Sequence, residues 1–357
     1  MRTILVTGGA GFIGANFIHH ALNRPLADIR IINLDKLTYA GNLENLAGVD
    51  VNFPARYLFL RGDICDRQFV ERIFNEHKPD AVVNFAAESH VDRSIVTPNV
   101  FVETNVLGTA TLLNAARSAW PSDEWERHRF VQVSTDEVYG SLPEHDKSVK
   151  FTEDTPLCPH SPYSASKASA DLLAQSYFDT YGFPVLITRC SNNYGPYQFP
   201  EKLIPLMINN AVNDKPLPVY GDGQNVRDWL YVEDHCEAIY LVVKNGRLGE
   251  TYNVGGGNQP YNIDLVREIC SILDELRPAG APHANLMTHV QDRPGHDRRY
   301  AMDITKIRAE LGWTPRHDIE SGMRATVQWY LDNAEWVKSV LGQDGYAAWL
   351  EKNYTKR

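Results

Sequence analysis

The chain has 357 residues, 43% of them hydrophobic and 22% charged, ample for a packed core in one large or two modest domains. Its formal net charge of −10 argues against a polyanion-binding surface and so against nucleic acid as a partner; an anionic small ligand would need a local cationic patch. No apolar run approaches the ~18 residues of a membrane span, and Ile4-Leu5-Val6 is too short for the apolar core of an export signal.

Short apolar runs at 4–6, 29–34, 57–60, 81–85, 130–133 and 185–188 alternate with helix-length segments such as 104–118 and 165–181. Apolar strands separated by helices predict a parallel sheet covered on both faces, and right-handed crossovers make it a doubly wound α/β sheet. Further on, Gly and Pro cluster at 194–200, 216–223 and 255–260, and 251–254 reads as a strand that rejoins the sheet. The expected division is a dinucleotide-binding domain from 1–190 plus about 229–255 and a smaller, discontinuous ligand-binding domain from about 191–228 and 256–315. A C-terminal helical tail, about 316–357, contains helical spacing at 319–331.

The first run leads directly into Thr7-Gly8-Gly9-Ala10-Gly11-Phe12-Ile13-Gly14. Gly9-x-Gly11-x-x-Gly14 fits a Rossmann-type dinucleotide fingerprint, and Gly8-x-x-Gly11-x-x-Gly14 fits its short-chain relative. Glycine permits the tight turn and the close approach of a pyrophosphate, and the following helix offers unpaired N–H groups to the phosphates. Asp35 ends the second run about twenty residues later, where a carboxylate accepts from ribose hydroxyls and repels a 2′-phosphate. That favours NAD over NADP; a strand-end turn residue is the competing reading of Asp35. Asp63-Ile64 suits the adenine edge, or a plain turn.

Tyr163-Ser164-Ala165-Ser166-Lys167 is a Y-x-x-x-K motif whose spacing puts both side chains on one helix face. A free tyrosine titrates near ~10, too high for a base at neutral pH, and the ammonium is expected to lower that value. The bland alternative is a surface helix pair. The fifth strand runs into Ser134-Thr135-Asp136-Glu137-Val138-Tyr139-Gly140, at the sheet end where ligands bind. Two adjacent carboxyls there could supply an acid and a base, or form a solvated turn.

In these motifs the chain resembles the extended short-chain dehydrogenase/reductase family and, within it, the dTDP-glucose 4,6-dehydratases, over almost its whole length. The matching stretches are 35–42, 86–94, 134–140, 191–197, 199–205, 227–235 and 292–300. The resemblance implies that Tyr163 deprotonates the C4 hydroxyl as hydride passes to NAD, that Thr135 shares the hydrogen bonding there, and that Lys167 holds the nicotinamide ribose. Glu137 would then remove the C5 proton and Asp136 would protonate the departing C6 hydroxyl. Hydride returns to C6, giving a 4-keto-6-deoxy sugar without net redox change.

The same resemblance implies cofactor contacts from Gly8, Gly11, Phe12, Ile13, Gly14, Asp35, Lys36, Leu37 and Thr38. Asp63, Ile64, Ala86, Ala87, Glu88, Ser89, Thr104 and Asn193 join Tyr163 and Lys167 in that set. Ser89, Thr135, Asn192, Glu201, Lys202 and Leu203 would meet the sugar and diphosphate. Arg227, Arg293 and His296, with Asp292, would clamp the diphosphate, since arginine matches phosphate oxygens bidentately. Pro218, Val219, Tyr220 and Asn262 would line the nucleotide end. A homodimer is implied by the family alone, and His90, Asp92 and Arg93 would brace that dimer or the site wall. Rival readings are a 4-epimerase, which has no use for the acid pair, a UDP- or GDP-sugar dehydratase, and a non-catalytic dinucleotide sensor, which needs neither Tyr163 nor Lys167.

Cys65, Cys158, Cys190, Cys236 and Cys270 are odd in number and include no C-x-x-C pair, which reads as free thiols in a reducing cytoplasm. The twelve histidines lack zinc spacing, so no metal site is expected.

Overall fold

A computed structural model describes residues 2–25, 28–292 and 296–342. Its strands are β1 (Arg2–Thr7), β2 (Ile29–Asp35), β3 (Tyr57–Arg61), β4 (Ala81–Asn84), β5 (Arg129–Thr135), β6 (Val185–Cys190), β7 (Asn192–Tyr194), β8 (Leu217–Tyr220), β9 (Trp229–Tyr231), β10 (Thr251–Val254) and β11 (Met287–Val290). Seven of them form one parallel sheet in the order β10-β6-β5-β4-β1-β2-β3. The strand order reverses between β1 and β4, which opens a crevice at the carboxyl ends.

Successive side chains on a strand face opposite ways, and here both faces are dry. Ile4, Val6, Ile31 and Val131 pack with the helices Phe12–Leu22 and Val232–Asn245. Leu5, Ile32, Val82 and Phe130 pack with Arg67–His77, Thr109–Ala119 and Pro162–Tyr181. This two-sided burial explains why the runs read as continuous apolar stretches. Each large side chain so buried contributes roughly 1.5–3 kcal/mol.

A second core forms around the parallel pairs β7–β9 and β8–β11. Ile204 and Met207 from the helix Leu203–Val212 meet Leu265 and Ile269 from Asn262–Leu276 there. The tail helix Ile319–Asp332 adds Met323 and Val327, and a second helix within the expected helical tail, Ala334–Leu341, adds Val337. The tail thus packs into the second core. Residues 300–313, expected in the smaller unit, pack instead with the large sheet through Tyr300, Met302, Ile307 and Trp313. The backbone explains this: Phe151 donates to Ala301 and Leu142 to Arg299. The guanidinium of Arg299, only 1% exposed, donates to the carbonyls of Pro143 and Val149. These contacts tie the segment to the loop after β5, and helical periodicity carries no record of them.

Two local features position the site. The helix expected over 104–118 is regular only from Thr109; a wide π-helical turn, Val102–Gly108, precedes it and turns Asn105 inward to bond Glu88 and Ser166. The helix Pro162–Tyr181 begins with a Ser161–Ser164 capping box and stops at Gly182 in the left-handed region. It docks on the sheet through a buried ion pair, Asp171 to Arg189 at 2.9 Å. Arg189 also donates to the hydroxyl of Tyr139, which donates to Asn253.

Asp171→Ala would strand the Arg189 charge in the interior, and such losses cost about 3–5 kcal/mol. Denaturant unfolding is expected to record a loss of that size; one below about 1 kcal/mol, the worth of an exposed pair, would mean the pair does not anchor the helix.

Candidate active site

Gly8 sits at φ +68°, and a Cβ there would lie 2.7 Å from the Ala86 nitrogen; at Gly14 it would lie 2.3 Å from the Gly8 oxygen. Only glycine allows this turn to close against β4 and against the helix Phe12–Leu22. That helix has no side-chain cap, so its first-turn N–H groups remain available to an anion. Asp35 accepts from the Ala10 nitrogen at 2.9 Å and from the Leu37 nitrogen at 2.8 Å. One bond per oxygen leaves lone pairs for ribose hydroxyls. Burial pushes the Asp35 pKa up, against those two bonds. This cradle fits NAD.

A cavity of about 310 Å³ runs from this turn to the end of β5. Gly8, Gly11, Phe12, Ile13 and Gly14 line it, as do Asp35, Lys36, Thr38, Asp63 and Ile64. So do Ala86, Ala87, Glu88, Ser89, Thr104, Asn193, Tyr163 and Lys167. Lys36 and Asp63 form an ion pair across it at 2.6 Å. Leu37 is the exception among the expected cofactor residues. Its side chain packs against the core while its amide holds Asp35.

The other expected residues meet at the far end. Thr135, Asp136 and Glu137 line the same cavity. Asp136 is 1% exposed, and its Oδ2 is buried without a partner. Burial and then the neighbouring Glu137 raise its pKa well above the ordinary carboxylate value, which shifts it toward its protonated form. Thr135 accepts from the Glu137 amide.

Tyr163 departs from the expected electrostatics. Burial, and then Glu137, push its pKa well above 10, with a hydrogen bond to Thr135 opposing. Lys167 is itself lowered by burial and donates to the Val133 carbonyl at 2.6 Å. Desolvation of the phenolate therefore outweighs the help expected from the ammonium.

A second cavity of about 170 Å³ holds Leu203, Pro218, Val219, Tyr220, Arg227, Asn262 and His296. Glu137, Asn192, Asn193, Gln198, Glu201 and Lys202 line both cavities, which makes one cleft. Arg227, 5% exposed, donates to the carbonyls of Val226 and Asp297 and lies 4.3 Å over the Tyr300 ring. It does not pair with Asp228, whose carboxylate accepts from Gly256 and Met302. Asp292 stands behind His296, 2.6 Å from its Nδ1, and is not among the residues lining the cavity. Arg293 lies outside the described residues. His90 and Asp92 line the second cavity. Arg93 pairs with Glu201 at 3.2 Å and stacks on Tyr39.

Several residues lining or supporting the cleft were given no role by the sequence reading. Gln198 bonds the Asn193 carbonyl, and nothing in its residue type marks it. His235 orients the Asn193 side chain from 2.9 Å, and burial lowers its pKa to about 3, so it stays neutral. Cys190 borders the cavity beside Tyr163, its thiol pushed up to about 12 by burial. Its place at the carboxyl end of β6 was the available signal.

Gly14→Ala is expected to cost about 1–3 kcal/mol through overpacking and to weaken NAD retention. Thermal unfolding with and without NAD measures both. Undiminished stabilisation by NAD would mean the close approach at Gly14 does not shape the cofactor cradle.

Residues 5–326 match the protein family described as GDP-mannose 4,6 dehydratase. A dTDP-glucose 4,6-dehydratase of Xanthomonas campestris pv. campestris (strain B100) is 57% identical over 346 residues, 96% of each chain. The dTDP-glucose 4,6-dehydratase 1 of Escherichia coli (strain K12) is 54% identical over 363 residues, 99% of each chain. The crystal structure of a Streptomyces venezuelae dTDP-glucose 4,6-dehydratase, solved with NAD and a dTDP ligand, superposes with a TM-score of 0.85. It is 47% identical, covering 95% of this chain and 100% of that one. Identity of this order across the whole of both chains goes far beyond a shared fold, and the chain belongs to the dTDP-glucose 4,6-dehydratase family of extended short-chain dehydrogenases/reductases.

Proposed function

We propose that the protein is an NAD-dependent hydro-lyase that converts dTDP-glucose to dTDP-4-keto-6-deoxyglucose. The observation that carries this reading is the meeting of Asp136 and Glu137 with Tyr163 and Lys167 on one cleft. A 4-epimerase needs the last two and has no work for the first two. A dinucleotide sensor needs none of the four.

NAD, when bound, supplies the acceptor for the C4 hydride, its return to C6, and a positive charge that favours ionisation of a nearby phenol. Tyr163, neutral in the dry wall, takes the C4 hydroxyl proton once it is ionised, and Thr135 shares the hydrogen bonding at that oxygen. Oxidation at C4 acidifies the C5 proton, which Glu137 removes. Asp136, whose pKa burial and Glu137 raise, delivers a proton to the departing C6 oxygen. Two neighbouring carboxyls thus take opposite roles because one is buried and the other faces both cavities. Arg227 and His296 at the second cavity suit the diphosphate, and Pro218, Val219, Tyr220 and Asn262 suit the base. Buried, unpartnered oxygens on Asn192 and Asn262 are consistent with a polar ligand.

A homodimer fits the surface. Ile95, Val96, Val100, Leu107 and Leu172 are exposed on the adjoining segments 91–108 and 162–181, a concentration of apolar groups that a partner subunit would cover. Sedimentation at micromolar concentration tests it, and a monomer would refute it. The five thiols are free, which suits a reducing cytoplasm.

Incubation with dTDP-glucose and with UDP-glucose should give loss of one water from the first alone; an unchanged mass from dTDP-glucose would refute the assignment. Tyr163→Phe should abolish oxidation. Glu137→Gln should accumulate NADH absorbance in a single turnover and stall before elimination. Asp136→Asn should slow elimination by about 10²–10⁴-fold. In the parent enzyme, elimination should fall as pH rises through the raised Asp136 pKa, because the acid is present only below it. An Asp136→Asn enzyme that retains that alkaline limb would assign the limb to another group.

A further inference from the structure

The loop behind the catalytic turn carries a second set of reactive side chains that the dehydration does not use. The Cys158 amide donates to the Val138 carbonyl at 2.9 Å, one residue past Glu137. Its Sγ lies 3.8 Å from His160 Nε2. His160 Nδ1 lies 2.6 Å from Asp297 Oδ1, and Asp297 Oδ2 accepts from the Tyr300 hydroxyl at 2.6 Å. A carboxylate on Nδ1 fixes the proton there and turns the Nε2 lone pair toward the thiol. This is the order of groups that activates a nucleophilic cysteine. Cys158 is exposed, whereas Cys190, Cys236 and Cys270 are buried and Cys65 is half-buried, its thiol pushed up to about 11 by burial.

We propose that Cys158 is a reactive surface thiol, activated by His160 and Asp297, that forms mixed disulfides with small-molecule disulfides. The thiol proton passes to His160 Nε2. The sulfur attacks one sulfur of the incoming disulfide, whose S–S bond breaks as the new one to Cys158 forms. The displaced thiolate leaves with the electron pair and can take the proton from His160. One disulfide is consumed and one is made, so no further oxidant is needed.

The adduct has a route to the nucleotide end. The Asp297 backbone carbonyl accepts from Arg227 Nη2 at 2.8 Å, and Tyr300, bonded to the Asp297 carboxylate, lies under the Arg227 guanidinium. A group on Cys158 displaces His160 from Asp297 and loosens the wall that holds Arg227. This second half rests on the function proposed above, with Arg227 at the diphosphate.

The full-length protein is mixed with dithiobis(nitrobenzoate) at neutral pH, and the released nitrothiolate is followed by absorbance. A single fast phase is expected, lost in Cys158→Ser. His160→Ser and His160→Gln should each slow that phase by at least about tenfold, because glutamine can hydrogen-bond but cannot take the proton. A fast phase that survives Cys158→Ser overturns the proposal, as does an unchanged rate in the His160 variants or its rescue by glutamine. In the modified protein, KM for dTDP-glucose should rise severalfold with kcat less affected. Dithiothreitol should reverse the rise, and Cys158→Ser should not undergo it. An unchanged KM overturns the link to Arg227. The thiol titration needs no nucleotide sugar, so a failure of the proposed dehydration is distinguishable from a failure of the thiol.

Discussion

The chemistry of this fold depends on the exclusion of water from the carboxyl end of β5. Asp136, Tyr163 and Lys167 are all buried there, and burial is the leading influence on each. A charge in such a place is costly unless it is paired. The carboxyl is therefore shifted toward its protonated form, the phenol stays neutral, and the ammonium is shifted toward its neutral form while it donates to a carbonyl. The same dryness makes any charge brought in by a ligand felt more strongly than in water. The wall is poised to respond to what enters the cleft, and Glu137 is the carboxyl of the pair that lines both cavities.

That wall is assembled from segments far apart in the chain. The helix Pro162–Tyr181 brings Tyr163 and Lys167, and its buried link to Arg189 fixes it against β6. The second core contributes Arg227 just ahead of β9, and the adjacent Asp228 ties the two bodies through Gly256 and Met302. Burial raises the Asp228 pKa to about 6. A second tie runs from the C-terminal helix: Trp336 donates to Asn45, and Asn45 donates to the Ala10 carbonyl in the glycine turn. The helix Ala334–Leu341 thereby braces the glycine turn.

Much of this was legible in the residues. The glycine spacing, the acid ending β2, Y-x-x-x-K and the acid pair after β5 are local patterns, each tied to a strand end or to one turn of helix, and local geometry is what a sequence encodes most directly. The long matching stretches extended that reading to Arg227 and His296, which share the second cavity. Leu37 read as a contact because it lies among contacts, yet its left-handed backbone turns its amide to Asp35 and its side chain to the core.

The sequence by itself determined the sheet, the glycine turn, the family and which polar side chains stand at the strand ends, because these follow from periodicity, from glycine where nothing larger fits, and from residue type. Tertiary structure alone decided the direction in which the buried groups' pKa values move and the packing of distant segments. The expected lowering of the Tyr163 pKa failed because desolvation is a property of the assembled surroundings, and spacing to Lys167 says nothing of how dry those surroundings are. Residues 300–313 joined the large core, and the tail joined the second, because backbone bonds such as Phe151 to Ala301 are made between segments that share no local pattern.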